Sequence, residues 1–209
     1  MTHLTMTRWA TLSALAAALL LPAAGRAESN LQTGTGPLTA TARLDFRITV
    51  PKVLFLQVGT GASLANNATI NLIDFTVNAA NLGDGTAVSA SSTSGDLGNG
   101  TVTARLLGNN GNVNLQSATV GALGNGAGDS ISFSQIATAV APLTSATPLA
   151  HPALADGATT STSIPATGKI VNRDARWTFT FLNAAAVPPG TYGGANANNG
   201  RVTYTASMP

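Results

Sequence analysis

The chain has 209 residues, with 44% hydrophobic and only 9% charged, 22 glycines, 10 prolines and no cysteine. Ten basic residues stand against eight acidic ones. Beyond residue 27 the basic ones are scattered as Arg43, Arg47, Lys52, Arg105, Lys169, Arg173, Arg176 and Arg201, so the basic stripe of a nucleic-acid binder is missing.

The start of the chain places Arg8 before the apolar stretch Leu12 to Leu21, then Pro22 and the small-residue exit Gly25-Arg26-Ala27. That order is a secretory signal peptide over residues 1–27, with cleavage expected after Ala27. An apolar stretch of roughly ten residues is too short for a bilayer, which needs about 20. A lipoprotein anchor is excluded because it requires a cysteine. Cleavage removes Arg8 and Arg26 but none of the acids, which leaves a near-neutral mature chain bound for the periplasm, the cell surface or the exterior. No later segment is apolar enough to span a membrane. Without disulfides, an exported fold depends on its core and its hydrogen-bond ladders. Globular domains average about 25% charged residues, so amides and hydroxyls must keep this surface soluble.

Residues 28–38 are polar and are expected to form a flexible N-terminal segment ahead of one domain at 39–209. From Thr39 to Val50 the chain alternates strictly, with Ala40, Ala42, Leu44, Phe46, Ile48 and Val50 on one side and Thr41, Arg43, Asp45, Arg47 and Thr49 on the other. A period of two predicts a half-buried strand. Pro51 interrupts it, and Val53 to Val58 reads as a strand buried on both faces. Ile70 to Val77 alternates with a phase change between Leu72 and Ile73, as a β-bulge would produce. Val88 to Ser91 is a weak edge strand.

A hairpin is expected from Thr101–Leu107 and Asn112–Val120 around Gly108-Asn109-Asn110-Gly111, because Asn-Gly supplies the positive φ of such turns. Another strand is predicted over Ser130–Ile136. Residues 137–168 carry Pro142, Pro148, Pro152 and Pro165 among Thr, Ser and Ala, and read as one long loop. Strands resume at Lys169–Asn172, at Trp177–Phe181 and at Arg201–Ser207. About eight or nine short strands with no helical spacing predict an antiparallel Ig-like or Greek-key β-sandwich.

The catalytic inventory is thin. Beyond the signal one histidine remains, His151, which with a distant serine and aspartate could form a triad only by coincidence of folding; it reads as an exposed loop residue. Zinc needs several His or Cys ligands. Calcium could use Asp84, Asp96, Asp129 or Asp156, yet these are single residues in turns, where aspartate bonds locally. Glu28 is the only glutamate, so paired carboxylates would have to be aspartates. Arg173-Asp174-Ala175-Arg176 reads as a solvated turn or strand edge with a surface ion pair. Trp177, Phe179 and Phe181 share one face of their strand and are expected in the core together with Tyr204, rather than on a glycan-stacking platform. No catalytic residue, cofactor or metal site is expected, and the chain reads as a non-enzyme.

The closing segments Pro189-Gly190-Thr191-Tyr192-Gly193 and Gly200-Arg201-Val202-Thr203-Tyr204-Thr205 resemble the terminal strands of fimbrial subunits of the chaperone-usher type, including spore-coat-U-like pilins. A weaker similarity is to the end of WxL-type cell-surface domains, with Tyr204 at the aromatic position and Pro209 near the terminal proline. The pilin resemblance implies an incomplete Ig-like sandwich whose open edge is filled by a strand from the next subunit, with copies of the chain and a periplasmic chaperone as partners. Leu44, Phe46, Ile48 and Val50 then form the candidate strand-exchange face. Equally, Thr39 to Val50 can be the first strand of its own sandwich, and its place after the polar residues 28–38 favours that. A secreted binding module for a glycan or protein is the alternative function.

Overall fold

A computed structural model describes residues 29–209, so the expected signal peptide lies outside the described residues. The chain divides into two units, Met1–Val50 and Pro51–Pro209. In the first unit residues 29–50 contain no strand or helix. The expected strand at Thr39–Val50 is therefore absent, and the folded domain begins at Pro51 rather than Thr39.

The second unit is all-β, with strands β1 (Leu54–Val58), β2 (Val88–Ser89), β3 (Thr101–Gly108), β4 (Val113–Ala118), β5 (Leu123–Gly124), β6 (Ser130–Ile131), β7 (Ile136–Ala141), β8 (Thr159–Ile164), β9 (Val171–Phe181) and β10 (Thr203–Ser207). The only helical pieces among the described residues are two 3-10 turns, Ala79–Asn81 and Phe133–Gln135. Among those residues no helix is long and apolar enough to cross a membrane.

β9 organises the first sheet: from Ala175 onward its residues alternate, with Ala175, Trp177, Phe179 and Phe181 buried on one face. β3 pairs with β9 from Thr101↔Thr178 to Gly108↔Val171, and β7 pairs with it from Ile136↔Phe181 to Ala141↔Arg176. Both cover residues 176–178, so they must lie on opposite edges of β9. β1 extends the sheet beyond β3, and β2 pairs with the far end of β9. The second sheet has the order β10-β4-β8, and β5 and β6 form a small ribbon. Every pairing is antiparallel.

The two main sheets pack face to face over one core. Val102, Ala104, Leu106, Ala175, Trp177 and Phe179 from the first meet Val113, Leu115 and Ile164 from the second, with Leu149 between them. β3 and β4 do not form the expected hairpin: the Asn109–Asn112 turn carries the chain from one sheet to the other. Both edges of β3 are already taken, by β1 and β9. The turn is tied instead to its surroundings, since Asn109 accepts a bond from the Val53 amide and donates to the Pro51 carbonyl, while the Gly111 amide donates to Lys169.

Other expected boundaries shift for similar reasons. Residues 70–77 form no strand, and Ile73 and Phe75 pack on the core from an irregular segment. The predicted 130–136 strand is split by the Phe133–Gln135 turn, whose start is capped by Ser132. The loop expected at 137–168 contains most of β7 and all of β8, and is irregular only over 142–158 and again past Ile164. The two strands expected on either side of residues 173–176 are one continuous strand.

Candidate functional site

In the alternating segment the apolar row is exposed: Leu44 by 77%, Phe46 by 86%, Ile48 by 88% and Val50 by 73%. Each such side chain gains roughly 1.5–3 kcal/mol when fully buried.

The sandwich, in turn, presents open strand edges. Among the described residues β10 pairs only with β4, and β1 only with β3. On β10, Thr203, Thr205 and Ser207 are exposed. The inward row Tyr204, Ala206 and, just past the strand, Met208 is half-buried against the core, as are Leu56 and Val58 of β1. At one end β10 and β1 converge: Leu54 and Met208 crowd around Gly108, where a Cβ atom would stand 3.2 Å from the Met208 sulfur. Lys52 Nζ and Asn110 Nδ2 both donate to the Pro209 oxygen.

His151 is not an exposed loop residue. The crossover through Leu149 and Pro152 carries it between the sheets, where its Nε2 lies 2.7 Å from the Tyr204 hydroxyl. Its ring meets Trp177 edge-on at 4.6 Å and Phe179 at 5.5 Å. Burial lowers its pKa to about 4 and raises that of Tyr204, so at neutral pH both are uncharged. The group hydrogen-bonded to its Nε2 is a phenol, where a triad would place a nucleophile or a carboxylate. Trp177 is fully buried and donates its Nε1 proton to the Leu149 carbonyl at 2.8 Å. Phe179 and Phe181 are buried beside it, and Tyr204 is half-buried 5.4 Å from Trp177. Beside His151 lies an open cleft of about 330 Å³, lined on one side by Ile136, Thr138 and Val140 of β7.

The aspartates singled out for calcium each accept a hydrogen bond, local in sequence for Asp84, Asp96 and Asp129 but from 23 residues away for Asp156. Asp84 accepts from the Thr86 amide, Asp96 from Thr103, Asp156 from Phe133, and Asp129 from the Asn125 side chain. Among the described residues no three His, Cys, Asp or Glu groups converge as metal ligands. Asp174, expected at a solvated ion pair, is buried instead. Burial alone would raise its pKa, but bonds from the Thr144 and Ser145 amides and side chains outweigh this and bring it down to about 2. A further residue, Asn183, sits fully buried at φ 51°, accepting from the Gly83 amide and donating to the Asn81 carbonyl.

No family model, curated protein or solved structure matches this chain. Geometry and chemistry therefore carry the functional reading.

Proposed function

We propose that this protein is an exported, non-enzymatic surface subunit that joins copies of itself by β-strand addition, residues Thr39–Val50 of one copy being donated to the free edge of β10 in the next. The observation that carries this reading is the exposed row Leu44, Phe46, Ile48 and Val50, which has the alternation of a strand in a segment that forms none. Such a row is a liability in water until another chain covers it.

The strand order supports the acceptor side. In a constant-type immunoglobulin sandwich one sheet runs A-B-E-D and the other holds C, F and G. Here β1-β3-β9, with β7 on the other edge of β9, has the order A-B-E-D; in the second sheet β8 takes the edge beside β4, and the outer edge of β10 is left unpaired among the described residues. A strand from a neighbour would complete the sheet, as in other strand-addition complexes. This agrees with the fimbrial resemblance of Pro189–Gly193 and Gly200–Thr205. A periplasmic chaperone would cover the same edge until the next subunit arrives.

Phe46→Asp tests the proposal, because a lone carboxylate is strongly disfavoured in an apolar groove. The mature native protein is expected to form polymers resolved by size-exclusion chromatography and electron microscopy. The variant should remain monomeric with the melting midpoint of the native subunit. A native protein that stays monomeric after release from its chaperone, or a variant monomer that loses cooperative unfolding, ends the proposal. In the second reading, a binding module, the ligand would meet the open cleft beside His151, lined by Ile136, Thr138 and Val140. A monomer retained on a glycan column would support that reading instead.

A further inference from the structure

Strand addition along β10 can occur in several registers, and the side-chain sizes on the two segments select one. The inward row of β10 and the residue after it is Tyr204, Ala206, Met208, two large side chains with a methyl group between them. The edge therefore carries a notch at Ala206. The exposed apolar row has its largest member, Phe46, between Leu44 and Ile48. A strand joining a sheet sets its side chains beside those directly opposite, with Cβ atoms about 4.5–5.5 Å apart. Both main sheets are antiparallel throughout, and antiparallel pairing is the more stable kind.

We infer that Phe46 of one copy docks antiparallel at the Ala206 notch of the next, with Ile48 beside Tyr204 and Leu44 beside Met208; this rests on the strand-addition reading above. On the outer face the same register sets Arg47 beside Thr205 and Asp45 beside Ser207. A slip of one residue would drive Arg47 and Asp45 into the apolar row. A slip of two would press Phe46 against Tyr204 or Met208 and fill the notch with Leu44 or Ile48, and crowding of that kind is itself destabilising. Donor and acceptor are different surfaces of the chain, so the contact is heterologous and propagates as a polar filament.

The chain has no cysteine, so paired single-cysteine variants report the register without disturbing Phe46. Arg47→Cys protein is mixed in turn with Thr203→Cys, Thr205→Cys and Ser207→Cys protein, all at exposed positions. The polymers are oxidised and run on non-reducing gels. Residues directly opposite fall within disulfide reach, whereas a diagonal neighbour about 7–8 Å away does not, so the Thr205 mixture should give roughly tenfold more disulfide dimer than the other two. A second arm overfills the notch: Ala206→Phe should lower polymer yield roughly tenfold, and adding Phe46→Ala should restore it. Dominant cross-linking to Thr203 or Ser207 overturns the register and leaves strand addition standing. Polymers that cross-link at none of the three positions overturn β10 as the acceptor. Native protein that never polymerises removes the functional reading, and the register with it.

Discussion

Acidification should destabilise this domain through His151, and the size of the effect follows from its surroundings. In the unfolded chain the imidazole binds its proton near its ordinary pKa of 6.5; in the fold, packed among Trp177, Phe179 and Tyr204, it binds one only near about 4. Between those values the unfolded state holds more protons, so stability is fully present above the window and falls as pH drops through it. At about 1.36 kcal/mol per unit, the whole window is worth about 3 kcal/mol, of which about 2.5 is lost by about pH 4.5. Asp174, held down to about 2, stays ionised in the fold throughout. Urea unfolding at about pH 7.5 and 4.5 measures the loss as a change in midpoint at constant slope. His151→Gln cannot take up the proton and should lose less stability between the two pH values by about that amount. Equal stability of the native protein at both pH values, or the same drop in the variant, would refute the assignment.

Trp177→Ala should cost about 3–5 kcal/mol, a large part of the roughly 5–15 kcal/mol that typically holds a domain together. Trp177→Phe keeps most of the packing but strands the Leu149 carbonyl, and should cost about 1–3 kcal/mol in a urea melt. Asn183→Ala removes the side chain that ties the Asn81–Thr86 loop to the end of β9, with an expected loss of about 1–3 kcal/mol and faster hydrogen exchange at the Gly83 amide. An unchanged midpoint in any of these variants would mean that its side chain is not held as described.

The class of the fold is written in the local pattern of the chain. Period-two alternation at Thr101–Gly108, Trp177–Phe181 and Thr203–Ser207, and the short apolar run at Leu54–Val58, need only the extended backbone of a strand, a local property. It also marks the apolar row Leu44 to Val50 as something to be covered. Pairing is not legible there. Asn-Gly after Leu107 looks like a hairpin, but the partners of β3 are chosen by which edges β1 and β9 occupy, and no local signal encodes that. The Pro-rich stretch conceals β7 and β8 because edge strands of Ala, Thr and Ser have little apolar alternation to read. His151 and Tyr204 lie 53 residues apart and Asp174 and Thr144 lie 30 apart, so their bonds, and the pKa shifts that follow, exist only once the crossover through Leu149 is folded between the sheets. The same holds for Thr39–Val50. Alternation lends it the form of a strand, but whether a strand is paired depends on a free edge elsewhere, and in this chain those residues stay outside the sheets.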